Sequence, residues 1–506
     1  MKEKLPLRQL KIIVLLALSL SMHQSLFAQE KTIKYEVESQ TIGTTKDFVP
    51  FWFRSNQYGS VPLSGVSQSF IGRAYKGLTK PTDSHPNGKV IDWAFGFEGR
   101  ANLGNGSNLQ LIEGYGKLKV GIFNLTAGRT KNVMGLNGDT ALSSGNFSVS
   151  GNASGIPGVD LSIPEYYRIP VIGGLISFKG NFVHGWVGRQ WVSYPTGSLK
   201  EPVTYLHQKS LYVRLGKKDW KINLYGGFNH QAYWGNENDI YGPNFDLSGF
   251  ETFTHVLFGQ KYFAKGVPNS KIGNQIGSID LGAEYEFDNF KVMLYRQNFY
   301  DVGALSKLAN IADGLNGVTF ENKNYNKGNS VFKWKKILAE VFYSKDQAGY
   351  PWSKATDSGD EDYYNNFYYG NGWTYKGMGL GSPLITQKSD AKEGQAAKLE
   401  NFINNRVLAF HLGLEGSVED WEFLTKVTYS NNFGTYGTSK FGHSLGQDHS
   451  PASKVLFTDV NQFSFYLESM KQLNHGLSTG FATSFDQGKL LNNSFGLILK
   501  VRKSFN

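Results

Sequence analysis

The fold turns on GSIDLGAEYEFDNFKVMLYRQNFY, residues 277–300. Ile279, Leu281, Ala283, Tyr285 and Phe287 alternate with Ser278, Asp280, Gly282, Glu284 and Glu286. Asp288-Asn289 makes a tight turn. The chain returns with Phe290, Val292 and Leu294 set against Lys291, Met293, Tyr295 and Gln297. A period of two puts the apolar set on one face of a hairpin and the charged set on the other. Two architectures fit this stretch taken alone. In a soluble sandwich the apolar face looks into a core; in an outer-membrane barrel it looks out into lipid, and the charged face lines a wet lumen.

The ends of the chain favour the barrel. Lys2, Lys4, Arg8 and Lys11 precede an apolar run from Ile12 to about Met22, and Leu26-Phe27-Ala28 closes it with a small residue before Gln29. This is the grammar of an export signal over 1–28, and the run is too short to span a bilayer comfortably. At the other end Phe495, Leu497, Leu499, Val501, Lys503 and Phe505 share one face of a terminal strand. Such a strand resembles the signal read by barrel-assembly machinery.

Composition excludes several classes. With no cysteine, the chain has no disulfide, thiol nucleophile or lipid-bearing thiol. Of the formal +10, the signal holds Lys2, Lys4, Arg8, Lys11 and Glu3, leaving +7 spread thinly. No basic run of five occurs, so nucleic acid is not an expected partner. No run of 18 apolar residues follows the signal, yet 14% of residues are aromatic and 59 are glycine. Low hydropathy with many aromatics suits strands of which every second residue faces lipid.

The hairpin grammar recurs. Ile91, Trp93, Phe95 and Phe97 alternate up to a turn at Gly104-Asn105-Gly106, and strands run through Leu109–Leu118 and Ile122–Arg129. Leu211, Val213 and Leu215 turn at 217–219 into Trp220, Ile222 and Leu224; Leu408–Leu414 turns at Glu419-Asp420 into Trp421–Val427. Between these lie segments read as long loops: 130–170, 229–275, 301–335, 345–403 and 431–460. Short turns at one end and long loops at the other are the signature of an outer-membrane barrel. Ala304–Ile311 and Gln395–Asn404 are expected as short helices within loops. The expected architecture is a single all-β domain over 29–506, a closed antiparallel transmembrane β-barrel with long extracellular loops plugging its mouth.

Several strings carry a family likeness. They are PFWFRSNQYG (50–59), SSGNFSVSGNASGIP (143–157), YRQNFYD (295–301), DGLNG (313–317), NGWTYKGMGLGSP (371–383), NNRVLAFHLGLEG (404–416) and SNNFGTYG (430–437). In this order they resemble the capsule-assembly Wzi family in its Bacteroidetes-type form. The resemblance implies 18 strands, a barrel closed to free diffusion, and binding of capsular polysaccharide as a lectin that helps hold capsule at the surface. The family's best-known branch also carries a periplasmic helical bundle, and no segment here is long and periodic enough for one. No catalytic residues are implied.

Candidate chemistry is sparse. Asp280, Glu284 and Glu286 share one strand face, on which neighbours at i and i+2 lie roughly 6.5–7 Å apart, a separation compatible with glycoside hydrolysis, but acidic residues are ordinary in a wet lumen. Asp357, Asp360, Glu361 and Asp362 crowd one loop without calcium-loop spacing. GMGLG (377–381) lacks the strand-to-helix context of a phosphate loop, and GHSLG (442–446) matches a nucleophile elbow without its helix. No metal or other cofactor is expected.

The expected site is aromatic. Tyr350, Trp352, Tyr363, Tyr364, Phe367, Tyr368, Tyr369, Trp373 and Tyr375 are interleaved with Asn, Asp and Gly. Flat rings with polar handles suit the C–H faces and hydroxyl edges of sugars. The tentative polysaccharide contacts are Tyr350, Trp352, Tyr368, Tyr369, Trp373 and Tyr375. The cluster Trp52, Arg54, Asn56, Gln57 and Tyr58, read as a strand end with interfacial aromatics, joins them. The leading expectation is a non-enzymatic outer-membrane protein that binds capsular or other surface polysaccharide. A diffusion or uptake channel is the alternative, and an outer-membrane hydrolase a third possibility.

Overall fold

The computed structural model describes residues 33–80, 88–193, 199–263, 270–301, 303–327, 330–350, 353, 361–395, 400–445, 448–450 and 457–505. The signal segment 1–28 and Trp352, Asp357 and Asp360 lie outside these. Eighteen strands form one antiparallel sheet. They are β1 Lys34–Thr44, β2 Ser67–Lys76, β3 Ile91–Gly104, β4 Asn108–Val120, β5 Phe123–Arg129 and β6 Gly158–Arg168. There follow β7 Ile176–Arg189, β8 Val203–Leu215, β9 Ile222–Trp234, β10 Asn274–Glu286, β11 Phe290–Asp301 and β12 Gly314–Asn322. The last six are β13 Phe332–Tyr343, β14 Val407–Val418, β15 Trp421–Asn432, β16 Val460–Gln472, β17 Leu477–Gly488 and β18 Ser494–Phe505. Each strand pairs with its neighbours in sequence, and β1 pairs with β18 in the register Tyr35↔Phe505 to close the barrel. Closure removes every sheet edge, which lipid demands because it offers no hydrogen bonds.

The opening hairpin behaves as read. Ile279, Leu281 and Leu294 are exposed, while Ser278 and Asp280 are fully buried. Asp280 sits across from Gln297 and Glu284 across from Met293, so both belong to the lumen face. Arg296 is a charge outside the lumen. It lies across from Leu281 on the outer face, where its guanidinium donates to Asn298 Oδ1 and Asn316 Oδ1 at 2.6 and 2.7 Å. The terminal strand also exposes Phe495, Leu497, Leu499 and Val501.

Three expected loops contain substantial parts of the barrel wall. β6 occupies part of 130–170, interrupted by a bulge between Ile163 and Tyr167 around Pro164, whose missing N–H breaks the ladder. β9 runs on to Trp234, and β12 fills the middle of 301–335. Of the expected helix Ala304–Ile311, Ala304–Lys307 forms as a 3-10 turn; of the expected helix Gln395–Asn404, residues 396–399 lie outside the described residues. Phe402–Asn404, expected to be helical, instead pairs as a strand with Thr386–Gln387. The longest helix among the described residues is Gly249–Phe258. None is long and apolar enough to cross a membrane, a statement that does not bear on strands.

Candidate functional site

Long connections 45–66, 130–157, 344–406 and 433–459 leave one end of the barrel, the end that faces outward in such barrels. They bring aromatic residues into the lumen. Phe147 stacks on Phe299 at 4.1 Å, Trp373 lies 4.5 Å from Tyr233, and Tyr363 and Tyr364 pack around Phe147. Trp373 Nε1 donates to Ser148 O at 2.7 Å, and the Tyr364 hydroxyl donates to Phe147 O. A Cβ on Gly381 would collide with Phe147 O and the Tyr364 ring. The glycine-rich GMGLG string thus serves close packing.

Lumen side chains tie this plug to the wall. Glu340 accepts from the Ser144 N–H and hydroxyl at 2.7 and 2.6 Å, from Ser143 Oγ at 2.8 Å and from the Tyr295 hydroxyl at 2.6 Å. Asp280 accepts from the Leu136 N–H at 2.7 Å, and Asp486 from the Phe51 N–H at 2.7 Å. A loop drawn inside a barrel has backbone donors that sheet pairing cannot satisfy, and the lumen carboxylates satisfy them. Asp280, considered for glycoside hydrolysis, is therefore an anchor, and Glu284 faces Lys291 at 3.4 Å. Burial pushes Asp139 upward, but Lys336 at 2.8 Å and the Leu142 and Ala141 N–H groups hold it below the usual carboxylate range.

Burial takes four of the expected sugar contacts, Trp52, Tyr369, Trp373 and Tyr375, out of reach of an outside chain. Trp373 is 0% and Tyr369 2% exposed; Tyr375 is also buried. They pack the plug, with the Tyr369 hydroxyl donating to Asn236 Oδ1 at 3.1 Å. The PFWFR string is a helical turn inside the lumen, Phe51–Arg54, rather than a strand end. Trp52 is buried and donates from Nε1 to Thr428 Oγ1 at 3.0 Å. Arg54 pairs with Asp390 at 2.8 Å, and Asn56 and Tyr58 adopt positive φ against the loop at 150–152. Burial, with Glu113 and Glu98 nearby, pushes the Tyr58 phenol up to about 12. Gln57 alone of this cluster is exposed.

Two aromatic patches remain open at the outer mouth. Tyr350, 42% exposed, stacks on Phe441 at 4.6 Å, with Tyr436 edge-on to Phe441 at 5.9 Å. Lys440 lies 5.2 Å from the Phe441 ring; beneath the surface the buried Arg406 lies 3.9 Å from the buried Tyr436 ring, and Lys345 lies 3.9 Å from Phe433. The second patch holds Phe367, 80% exposed, edge-on to Tyr368 at 5.2 Å, with Tyr241 beyond at 5.8 Å. Phe441, Tyr436 and Tyr241 were missed in the sequence because they come from two loops, 433–459 and 235–273, other than the one that holds Tyr350 and Phe367. Below the first patch, Glu361 accepts from the Asp301 and Gly303 N–H groups at 2.8 and 3.1 Å, and Asp313 from the Tyr363 hydroxyl at 2.7 Å. Burial pushes each of these two carboxyls up to about 7.

The GHSLG string departs from the nucleophile-elbow pattern. Ser444 lies within a small strand pairing, His443–Leu445 with Asp448–Ser450, not at a strand-to-helix elbow. No metal-binding group of His, Cys, Asp or Glu occurs among the described residues.

The sequence profile of the Capsule assembly protein Wzi family matches residues 72–434. The chain belongs to the capsule assembly Wzi family. Among solved structures, Wzi of Escherichia coli aligns with all of this chain and 90% of its own, at a TM-score of 0.53 and 11% identity. That protein is described as an outer-membrane, carbohydrate-binding β-barrel involved in group 1 capsule assembly. OccAB2 of Acinetobacter baumannii covers 94% of this chain and 98% of its own, at a TM-score of 0.44 and 13% identity. A search of curated protein sequences finds no match. Family and architecture together make this Wzi-family chain an outer-membrane protein whose strands cross the bilayer and whose loops fill the lumen.

Proposed function

We propose that this barrel is a non-catalytic binder of surface polysaccharide that helps attach or assemble capsule. The observation that carries the reading is the Tyr350–Phe441 stack, with Lys440 beside it, at the outer mouth of a filled lumen. Stacked rings offer a sugar face an apolar platform, and a cation beside them favours an acidic polymer. Phe367 and Tyr368 extend the platform towards the far rim, and Gln57 and Trp352 are kept as secondary candidates. The rest of the expected set contributes indirectly by holding the plug. Insertion would follow the usual route, with barrel-assembly machinery reading β18.

The test is titration of the cell's own capsular polysaccharide into purified protein. Aromatic anchors are worth up to ~2 kcal/mol each in a binding patch. Changing Tyr350→Ala together with Phe441→Ala should weaken binding by well over tenfold while leaving the heat-modifiable barrel intact. Unchanged affinity in a well-assembled double variant would remove this patch from the site.

A further inference from the structure

The lipid-facing side of the wall breaks its own rule near the top of β7–β9. Leu211 and Phe228, paired across β8 and β9, are exposed as lipid-facing residues should be. On the same face, further up, His207 pairs with His184 and Lys209 with His230. Polar groups on that face would be costly against acyl chains. They are covered instead by a helix, Gly249–Phe258, from the connection after β9. Phe253 lies edge-on to His207 at 5.6 Å and 5.3 Å from Trp234, and Lys209 Nζ donates to Leu257 O. His207 is left fully buried between strand and helix.

The helix is fixed at both ends. Ser248 and Glu251 form a capping box at its start, and Gly259, at φ 60, caps its end in the left-handed region. At 3.6 residues per turn the side chains fall into four sectors. Thr252 and Val256 are buried against the wall. Phe250, Thr254 and Phe258 point the opposite way, and Phe250 and Phe258 are 76 and 70% exposed. Thr254, at the centre of that outward sector, donates its hydroxyl to Glu251 O at 2.7 Å, so its polar group is already bonded within the helix. Glu251 and His255 share one flank, Phe253 and Leu257 the other. A helix whose outward side stood in water would carry the reverse pattern.

The outward sector continues the barrel's lipid-facing belt. Phe182, exposed on the lipid-facing side of β7, packs edge-on to Phe253 at 6.5 Å. Trp186, across from Tyr205, is exposed on the same face beside the helix. A tilted strand climbs ~2.5 Å per residue, so from Leu215 up to His207 is about 20 Å of a band roughly 25 Å tall. The helix therefore lies at the height of the outer leaflet, with exposed lipid-facing residues beneath and beside it. We propose that it is an in-plane membrane anchor. Its outward sector, Phe250, Thr254 and Phe258, lies among the acyl chains of the outer leaflet, and the Glu251–His255 flank meets the headgroups. On this arc of the barrel the helix takes over the lipid-facing role of the strands and holds the extracellular connection down against the membrane.

Because the chain has no cysteine, Phe258→Cys and His255→Cys each carry a single nitroxide. The folded protein is reconstituted in dioleoylphosphatidylcholine liposomes and read by power saturation against oxygen and a water-soluble nickel chelate. The oxygen-to-nickel accessibility ratio should be at least fivefold higher at Phe258→Cys than at His255→Cys. Changing Phe250→Ser with Phe258→Ser should raise the nickel access of a label at Thr254→Cys at least fivefold, while retained heat-modifiable gel mobility shows the barrel to be intact. Unchanged access there would show that these rings do not hold the helix and would overturn the proposal. A Phe258→Cys label open to the nickel chelate would place the helix in water and overturn it as well. So would a label closed to both reagents; with an oligomer that dissolves in Phe258→Ser, that result would assign the face to a second copy.

Discussion

The hairpin β10–β11 and the plug segment Tyr363–Tyr375 are both aromatic-rich, yet they bury opposite things. In the hairpin, Leu281 and Tyr285 are exposed and Asp280 is hidden. In the plug, Tyr363, Tyr364 and Trp373 are hidden at 1% exposure or less. The wall is an inside-out protein whose apolar face has lipid for solvent; the plug is an ordinary core held within it. The same residue type therefore carries opposite meaning on the two sides of one strand. The lumen carboxylates Asp280, Glu340 and Asp486 are the seam where the two join.

The sharpest way to break the comparison is Trp373→Ala. Emptying a fully packed indole site costs about 3–5 kcal/mol. That loss should fall on the plug alone, so hydrogen exchange should quicken across 363–385 while the barrel keeps its heat-modifiable mobility. An equal loss in the strands would show plug and wall to be one cooperative unit. Next comes Leu294→Arg on the outer face, expected to cost roughly 2–4 kcal/mol near the bilayer midplane. Folding equilibria in liposomes measure it, and the plug should be indifferent.

A smaller effect is expected from pH. Glu361 and Asp313 are carboxyls raised by burial from 4.5 and 3.8 to about 7. The folded state then holds protons that the unfolded state has released. Their contribution is fully present below about pH 4 and is lost as pH rises through 7. Protease nicking of the loop after β13 should quicken between pH 5 and 8, and Glu361→Gln should flatten the profile. Smallest of all is Glu284→Gln, whose partly exposed partner Lys291 lies 3.4 Å away. The change should cost under ~1 kcal/mol in the same liposome assay as Leu294→Arg. A Glu284→Gln cost matching that of Leu294→Arg would mean the wall faces are assigned wrongly.

Much of the wall was legible because its physics is local. Alternation in residues 277–300 and in β18 reports which face meets lipid, and Asp288-Asn289 and Glu419-Asp420 report the turns. β6 escaped because Pro164 breaks the alternation, and β12 because Gly314 and Gly317 thin it. The helix Gly249–Phe258 did carry a signal, since Ser248 and Glu251 stand at capping-box spacing. The plug was illegible for a deeper reason. Aromatics interleaved with Asn and Gly look alike whether a loop rises into solvent or descends into a lumen. What decides is Asp280, Glu340 and Gln297, waiting far away in sequence. The mouth patch was half legible: Tyr350 was identified, but its partner Phe441 comes from another loop.

The central claim is that the plug makes this barrel a surface binder rather than a pore. Conductance of the wild-type protein in planar bilayers tests it most directly. A lumen packed by Phe147, Tyr364 and Trp373 predicts insertion without steady channels at moderate voltage. Stable, protein-dependent open channels from the unaltered chain would contradict it.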